Sequence, residues 1–458
     1  MVFSTPMFVF GFLPIFLALY YCLPAAARNW LILLASTLFY AWWRADALLV
    51  LYAIAGSSYV AGLVATKADD PARKRWAVNL GVIFNLVVLG WFKYTTFILG
   101  NLNTALGGDA ITVPEIILPI GLSFLTFQSI SYIIDVSRGD APPASKLSDF
   151  LAFSSLFPQL IAGPVLRYKD LAHQFENRAH SLSIFSKGLS RFVQGLAMKL
   201  LIADSVAPLA DRIFALSDPT MVEAWVGAIA YSIQLLFDFA GYSSMAIGLG
   251  LMIGFRFPEN FNAPYISQSI TEFWRRWHIS LSSWLRDYLY VPLGGNRGGQ
   301  LKTYRNLMVT MVLGGLWHGA NWTFVIWGAW HGGLMAIERA LGAKNCDTVW
   351  PKHLAWPLTM TLVVLGWVIF RAETLSQAAS MYAGMAGLNG LAMRSELVTL
   401  TAPTEMVFLL LGVAIAIAPR PIQPSRNWSK ALQSSALFGF CFVMLQARAD
   451  SPFLYFQF

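Results

Sequence analysis

Charge is scarce in this chain. Aspartate, glutamate, lysine and arginine together supply 12% of its 458 residues, while apolar types supply 57%. A soluble domain carries about a quarter charged residues, and half that amount cannot cover a soluble body of this size. The shortage excludes an ordinary soluble fold and implies that the apolar runs face lipid. Helices in lipid form one bundle whatever their number, so residues 1–458 are expected as a single polytopic domain. Cysteine is scarcer still. Cys22, Cys346 and Cys441 lie far apart, two of them in apolar runs, which excludes a disulfide framework and zinc-type spacing. Internal repeats and low-complexity tracts are missing too, which weighs against a secondary transporter built on matched broken helices. The first apolar run, Met7 to Leu23, has neither a basic region before it nor an A-x-A site after it. It is therefore expected to stay as a membrane helix.

What the chain does hold is a succession of apolar stretches. They run near 7–23, 30–43, 47–65, 77–98, 113–134, 150–166, 185–203, 222–254, 306–317, 321–340, 354–370, 405–418 and 432–447. A span needs about 20 residues, and several of these are shorter, as tilted, broken or re-entrant helices inside a bundle would be. The 222–254 run is too long for one ordinary span and carries Gly241, Gly248 and Gly250, so a bend or division is expected there. The sum is an all-α integral membrane protein with about eleven transmembrane helices plus one or two re-entrant pieces.

The net charge of +8 is spread in short clusters between apolar runs. That pattern fits the positive-inside rule and anionic headgroups rather than nucleic acid. The loop from Lys67 to Arg75 carries four cations and is expected on the cytoplasmic side, which places the N-terminus outside. Residues 137–149 and the charged stretch from Arg167 to Lys187 are expected as loops. Asp135 and Arg167 fall at span ends, where capping or headgroup contact explains them.

Chemistry concentrates between Arg256 and His331. In 270–290, Ile270, Phe273, Trp274, Trp277, Leu281, Trp284, Leu285 and Tyr288 recur at helical spacing, predicting one amphipathic helix. His278 falls at the edge of that stripe, beside a polar line of Arg275, Ser282 and Arg286. A helix so apolar and so charged belongs at the interface or along a polar cavity. Its arginines have two readings: snorkelling to headgroups, or contact of Arg275, Arg276, Arg286, Lys302 and Arg305 with phosphates of a carrier such as coenzyme A. Pro292 to Gly299 is turn-rich.

Next come Gly314-Gly-Leu-Trp-His-Gly-Ala-Asn-Trp322 and Trp327-Gly-Ala-Trp-His-Gly-Gly333. A histidine in an apolar run either packs through a hydrogen bond or serves as a neutral general base. His318 and His331 are thirteen residues apart, about 220° around a continuous helix. A break at Gly319-Ala-Asn321 is therefore predicted if they are to share one face. The glycines and tryptophans around His318 favour the functional reading there; His331 reads better as packing. His278, His318 and His331 have no acidic residue at helical ligand spacing and H-E-x-x-H is absent, so no metal site is expected.

These stretches resemble the membrane-bound O-acyltransferase (MBOAT) family. The resemblance rests on Phe-Tyr-Ala-Trp-Trp43, Leu-Pro-Ile-Gly-Leu-Ser-Phe124, Ser-Tyr-Ile-Ile-Asp135, Leu-Ile-Ala-Gly-Pro-Val165 and Phe-Asp-Phe-Ala-Gly-Tyr-Ser243. It continues in Phe-Trp-Arg-Arg-Trp-His-Ile-Ser-Leu-Ser282, Gly-Leu-Trp-His-Gly-Ala320 and the final Phe-Leu-Tyr-Phe-Gln-Phe458. Within the family the chain is similar to the membrane subunits that acetylate alginate, with relatives in bacterial cellulose acetylation. After Pro351 the match loosens, which leaves the cellulose branch open.

The resemblance implies a helical domain around a central tunnel in a bacterial inner membrane. By it, His318 is the principal histidine and His278 its upstream partner. Acyl transfer needs a base near the incoming hydroxyl and donors for the oxyanion; His318 is expected as that base or as a transient acyl carrier, with His278 orienting the acyl group or stabilising charge. No bound cofactor is implied. Acetyl-CoA is the implied donor, and a periplasmic polysaccharide acetyltransferase the implied partner. Asp238 and Tyr242 are second-tier candidates with Asn321; a helix-to-helix hydrogen bond is the plainer account of the first two. The competing functions are cellulose acetylation, D-alanyl transfer to a cell-wall polymer, and a non-enzymatic transporter or scaffold.

Overall fold

A computed structural model describes residues 2–108, 110–160, 163–343, 347–418, 427–447 and 453–454. Cys346, Ile161, Ala162 and residues 455–458 of the final motif lie outside the described residues. Among the described residues every regular element is helical. Five helices among the described residues are long and apolar enough to cross a membrane: Ala47–Lys67, Pro71–Leu106, Leu182–Phe214, Met221–Met252 and Lys352–Arg371. Shorter apolar helices cover Met7–Cys22, Pro403–Ile417 and Leu432–Gln446. The chain forms two compact units, Met1–Phe192 with Ser243–Pro258, and Val193–Tyr242 with Glu259–Phe458.

In the first unit the Pro71–Leu106 helix starts on local signals. Pro71 takes the first position, and the Asp70 carboxylate accepts the Ala72 and Arg73 N–H groups at 3.0 and 3.3 Å. Gly107, at φ 78°, ends it. This helix leaves Leu80, Ile83, Leu86, Val87 and Trp91 exposed. Apolar side chains in such a row suit contact with lipid tails. Its other face packs inward on Ala47–Lys67 and Leu122–Arg138, around Leu51, Ile54, Leu89, Leu122 and Leu125. Small residues set these crossings: a Cβ on Gly62 would lie 2.6 Å from the Tyr132 ring.

Several expectations change here. The 113–134 run is helical only from Leu122. The Arg167–Lys187 stretch is not all loop, since it holds a helix from Tyr168 to Glu176. Asp135 is buried and pairs with Lys169 at 3.2 Å, so an ion pair rather than headgroup contact accounts for it. The loop expected over 137–149 lies between helices ending at Arg138 and starting at Leu147.

Met221–Met252 stays one helix of 32 residues rather than dividing. Its glycines serve close approach instead. A Cβ on Gly241 would lie 2.8 Å from the Gly195 carbonyl oxygen, and one on Gly248 2.6 Å from that of Gly188. Glycine at these positions lets two backbones touch.

In the second unit Gln300–His318 and Trp322–Ala340 form a tight helical hairpin. Cβ atoms on Gly315 and Gly328 would lie 2.1 Å from the Phe324 carbonyl oxygen and 2.3 Å from that of Met311. The predicted break between His318 and Trp322 is present, with Asn321 capping the second helix by accepting the Thr323 N–H at 3.2 Å.

The single amphipathic helix expected over 270–290 is corrected. It is three pieces, Ile270–Arg276, Ile279–Leu285 and a wide-turn segment Arg286–Tyr290. The break falls at His278, whose backbone is left-handed at φ 43° and ψ 53°. Trp277-His-Ile279 carries no local breaker, so the periodicity ran through it unmarked.

Candidate active site

Both family-implied histidines sit at helix ends in the second unit. His318 is the last residue of its hairpin helix and His278 precedes the first turn of Ile279–Leu285. Their ring centroids are 6.4 Å apart. Both are buried, His278 fully and His318 with 5% exposure. An oxygen can accept or donate at about 2.7–3.2 Å to each of two nitrogens, so rings at this separation can share one small polar group.

The walls are aromatic. His318 has Trp317 and Trp327 at 5.1 Å and Phe370 at 5.2 Å, all edge-on. His278 meets Phe239 edge-on at 4.7 Å and Trp317 at 6.1 Å. Among the described residues neither nitrogen of His278 has a hydrogen-bond partner. Burial pushes its pKa down to about 3, because removing water penalises the charged ring. At neutral pH it is therefore a neutral imidazole, one nitrogen able to donate and the other to accept.

A left-handed backbone at a residue with a Cβ costs about 1–2 kcal/mol. Strain of this kind persists where surrounding structure over-determines it. The segment 260–262 does so here. The Asn260 carbonyl accepts the Ile279 N–H at 2.9 Å, and its side-chain Oδ1 accepts the Ser280 N–H and hydroxyl at 3.2 and 2.8 Å. The Asn262 N–H donates to the Arg276 carbonyl at 2.9 Å. Ser282 closes the turn by donating its N–H to the His278 carbonyl at 3.0 Å and its hydroxyl to that of Trp277 at 3.3 Å.

The helix leading into the break is anchored by Glu338. Its carboxylate accepts the Ile270 and Thr271 N–H groups at 2.6 and 3.0 Å and the Thr271 hydroxyl at 2.9 Å. Negative charge at a helix N-terminus is favourable.

The other candidates fall in different places. Arg276 pairs with Glu272 at 2.8 Å and donates to the Asn262 carbonyl at 3.1 Å. Arg275 is exposed. Arg286 is exposed and pairs with Asp287 at 2.7 Å. Arg305 donates to the Asn306 side chain at 2.9 Å. Asn321 caps its helix and donates to the Glu373 carbonyl at 2.9 Å.

Asp238 joins a buried charge cluster. Lys199 lies 2.7 Å from both Asp238 and Asp204, and the Leu454 N–H donates to Asp238 at 2.9 Å. Tyr242 is buried with its ring 4.6 Å from that of Phe453. His331 is enclosed by Trp274, Trp327 and Phe273. The Trp327 ring lies 5.1 Å from both His331 and His318. Among the described residues no three His, Cys, Asp or Glu side chains group to hold a metal ion.

Asn260, Glu338 and Lys199 escaped the sequence reading. Asn260 and Glu338 act on backbone groups up to 68 residues away, a relation no local pattern carries.

Comparison with known proteins gives the family. The model of the MBOAT, membrane-bound O-acyltransferase family, matches residues 143–344, which contain both histidines. A probable alginate O-acetylase of Azotobacter vinelandii is 51% identical over the full length of both chains. One of Pseudomonas aeruginosa is 58% identical over 84% of this chain and 75% of its own. A peptidoglycan O-acetyltransferase of Helicobacter pylori is 36% identical over all of this chain and 98% of its own. With full-length identity at this level, the chain belongs to the membrane-bound O-acyltransferase family and is an O-acyltransferase.

Proposed function

We propose that this chain O-acetylates an exopolysaccharide, alginate in the first instance, from the bacterial inner membrane. It takes acetyl from a cytoplasmic thioester donor, acetyl-CoA, and passes it across the membrane to a periplasmic acetyltransferase partner. The observation that carries this reading is the pair of buried imidazoles 6.4 Å apart in a chain half identical to an alginate O-acetylase.

In this reading His318 is the base. It takes the proton of the incoming hydroxyl as the oxygen–acyl bond forms and the carbon–sulfur bond breaks. The same proton then leaves with the thiolate, so His318 ends as it began. Neutral His278 donates to the developing oxyanion. Arg275 and Arg286, exposed on the broken helix, reach phosphates of the donor.

The test is His318→Ala in an alginate-producing host. Polymer O-acetylation should fall by about 10²–10⁴-fold, the usual worth of a positioned base. Protein level and membrane insertion should be unchanged. Full acetylation in that variant would overturn the assignment.

A further inference from the structure

The break at His278 has an external cause. Residues 270–290 carry helical periodicity with no glycine or proline until Pro292, so the local preference is to continue the helix. In a continuous helix the N–H groups of Ile279 and Ser280 would bond to carbonyls four residues back, those of Arg275 and Arg276. Neither does. Asn260 takes both N–H groups, one on its carbonyl and one on its side chain, while Asn262 supplies the donor for the Arg276 carbonyl. The chain from 260 to 262 thus replaces the helix's own hydrogen bonds on each side of one residue, and that residue is His278.

We propose that Asn260 is the positioning residue that holds His278 in its left-handed conformation and so aims its imidazole for acyl transfer; this rests on the reading of His278 as part of the acyl-transfer site. Asn260 is itself buried. Its carboxamide orientation is set by chemistry: the Ser280 N–H can only donate, so the atom facing it is Oδ1. Without that acceptor the Ser280 N–H and hydroxyl lose their partner, and the turn is left to two main-chain bonds, Ile279 N–H to the Asn260 carbonyl and Asn262 N–H to the Arg276 carbonyl. The backbone at 278 then relaxes into the right-handed region, and the imidazole swings with it. A catalytic group displaced by about 1 Å costs on the order of 100-fold in rate.

The experiment uses the full chain in nanodiscs with an acyl-donor turnover assay. Asn260→Ala should lower kcat by about 100-fold, with KM for the donor within about two-fold. Asn260→Asp keeps the acceptor and should recover activity to within about ten-fold of wild type. Hydrogen exchange at the amide of 280, which the side chain holds, should speed in Asn260→Ala and not in Asn260→Asp.

Asn85→Ala is the control. That buried asparagine donates to Ser58 and to the Gly81 carbonyl in the first unit, so its loss should lower the melting temperature and leave kcat alone. Unchanged kcat in Asn260→Ala would overturn the proposal, as would a loss that Asp does not recover while exchange at 280 stays slow. If wild type turns over no acyl donor, the functional reading has failed instead, and exchange at the 280 amide still decides whether the Asn260 side chain holds the turn.

Discussion

The rings of His278 and His318 lie 6.4 Å apart, yet the chain holds them by different physics. His318 ends a helix whose hairpin partner approaches as closely as backbones can, because Gly315 and Gly328 carry no side chain at the contact. Its place is fixed by packing. His278 occupies a backbone conformation its own sequence disfavours, kept there by polar ties from residues 260–262. Its place is fixed by hydrogen bonds. Loosening packing of the first kind strains the whole hairpin at once; a clamp of the second kind can be released one bond at a time.

The largest expected effect lies on the packed side. In Gly328→Ala a methyl group would sit 2.3 Å from the Met311 carbonyl oxygen and 2.8 Å from Val312 Cα, so the hairpin must separate. Overpacking of this kind costs about 1–3 kcal/mol, and backbone contact belongs at the upper end. A fall in melting temperature with broadened size-exclusion profiles in detergent is expected. An unchanged melting temperature would show that the hairpin gives way easily and erase the contrast between the two histidines.

A smaller effect separates strain from side-chain loss at the clamped position. His278→Ala and His278→Gly both remove the imidazole, so both should lose acyl transfer. Glycine adopts the left-handed region freely, whereas alanine keeps about 1–2 kcal/mol of strain. The glycine variant should therefore melt higher, inverting the usual order of the two residues inside helical segments. If the alanine variant is the more stable, the turn at 278 is not strained in solution.

The same contrast explains what could be read in advance. The break after His318 was legible because Gly319 and the capping Asn321 are local signals, and local signals sit in the sequence beside the feature they cause. The break at His278 was not, because its cause is Asn260, eighteen residues earlier in the chain. Glycines misled in the opposite direction. Gly241 and Gly248 suggested a bend or division in Met221–Met252, but they are contact points for another backbone, and the helix is not divided at them. Apolar content marked the membrane class, while the partner of Asp135 awaited the fold, since an ion pair with Lys169 joins residues 34 positions apart.

The central claim is that the two imidazoles work as one unit, and a double-mutant cycle on purified chain with acyl donor tests it most directly. Residues acting together in one step are grossly non-additive. His318→Ala with His278→Ala should be no slower, within about three-fold, than the slower single variant. A double variant whose loss equals the product of the two single losses would mean that the rings contribute independently, and the account of a shared site would be wrong.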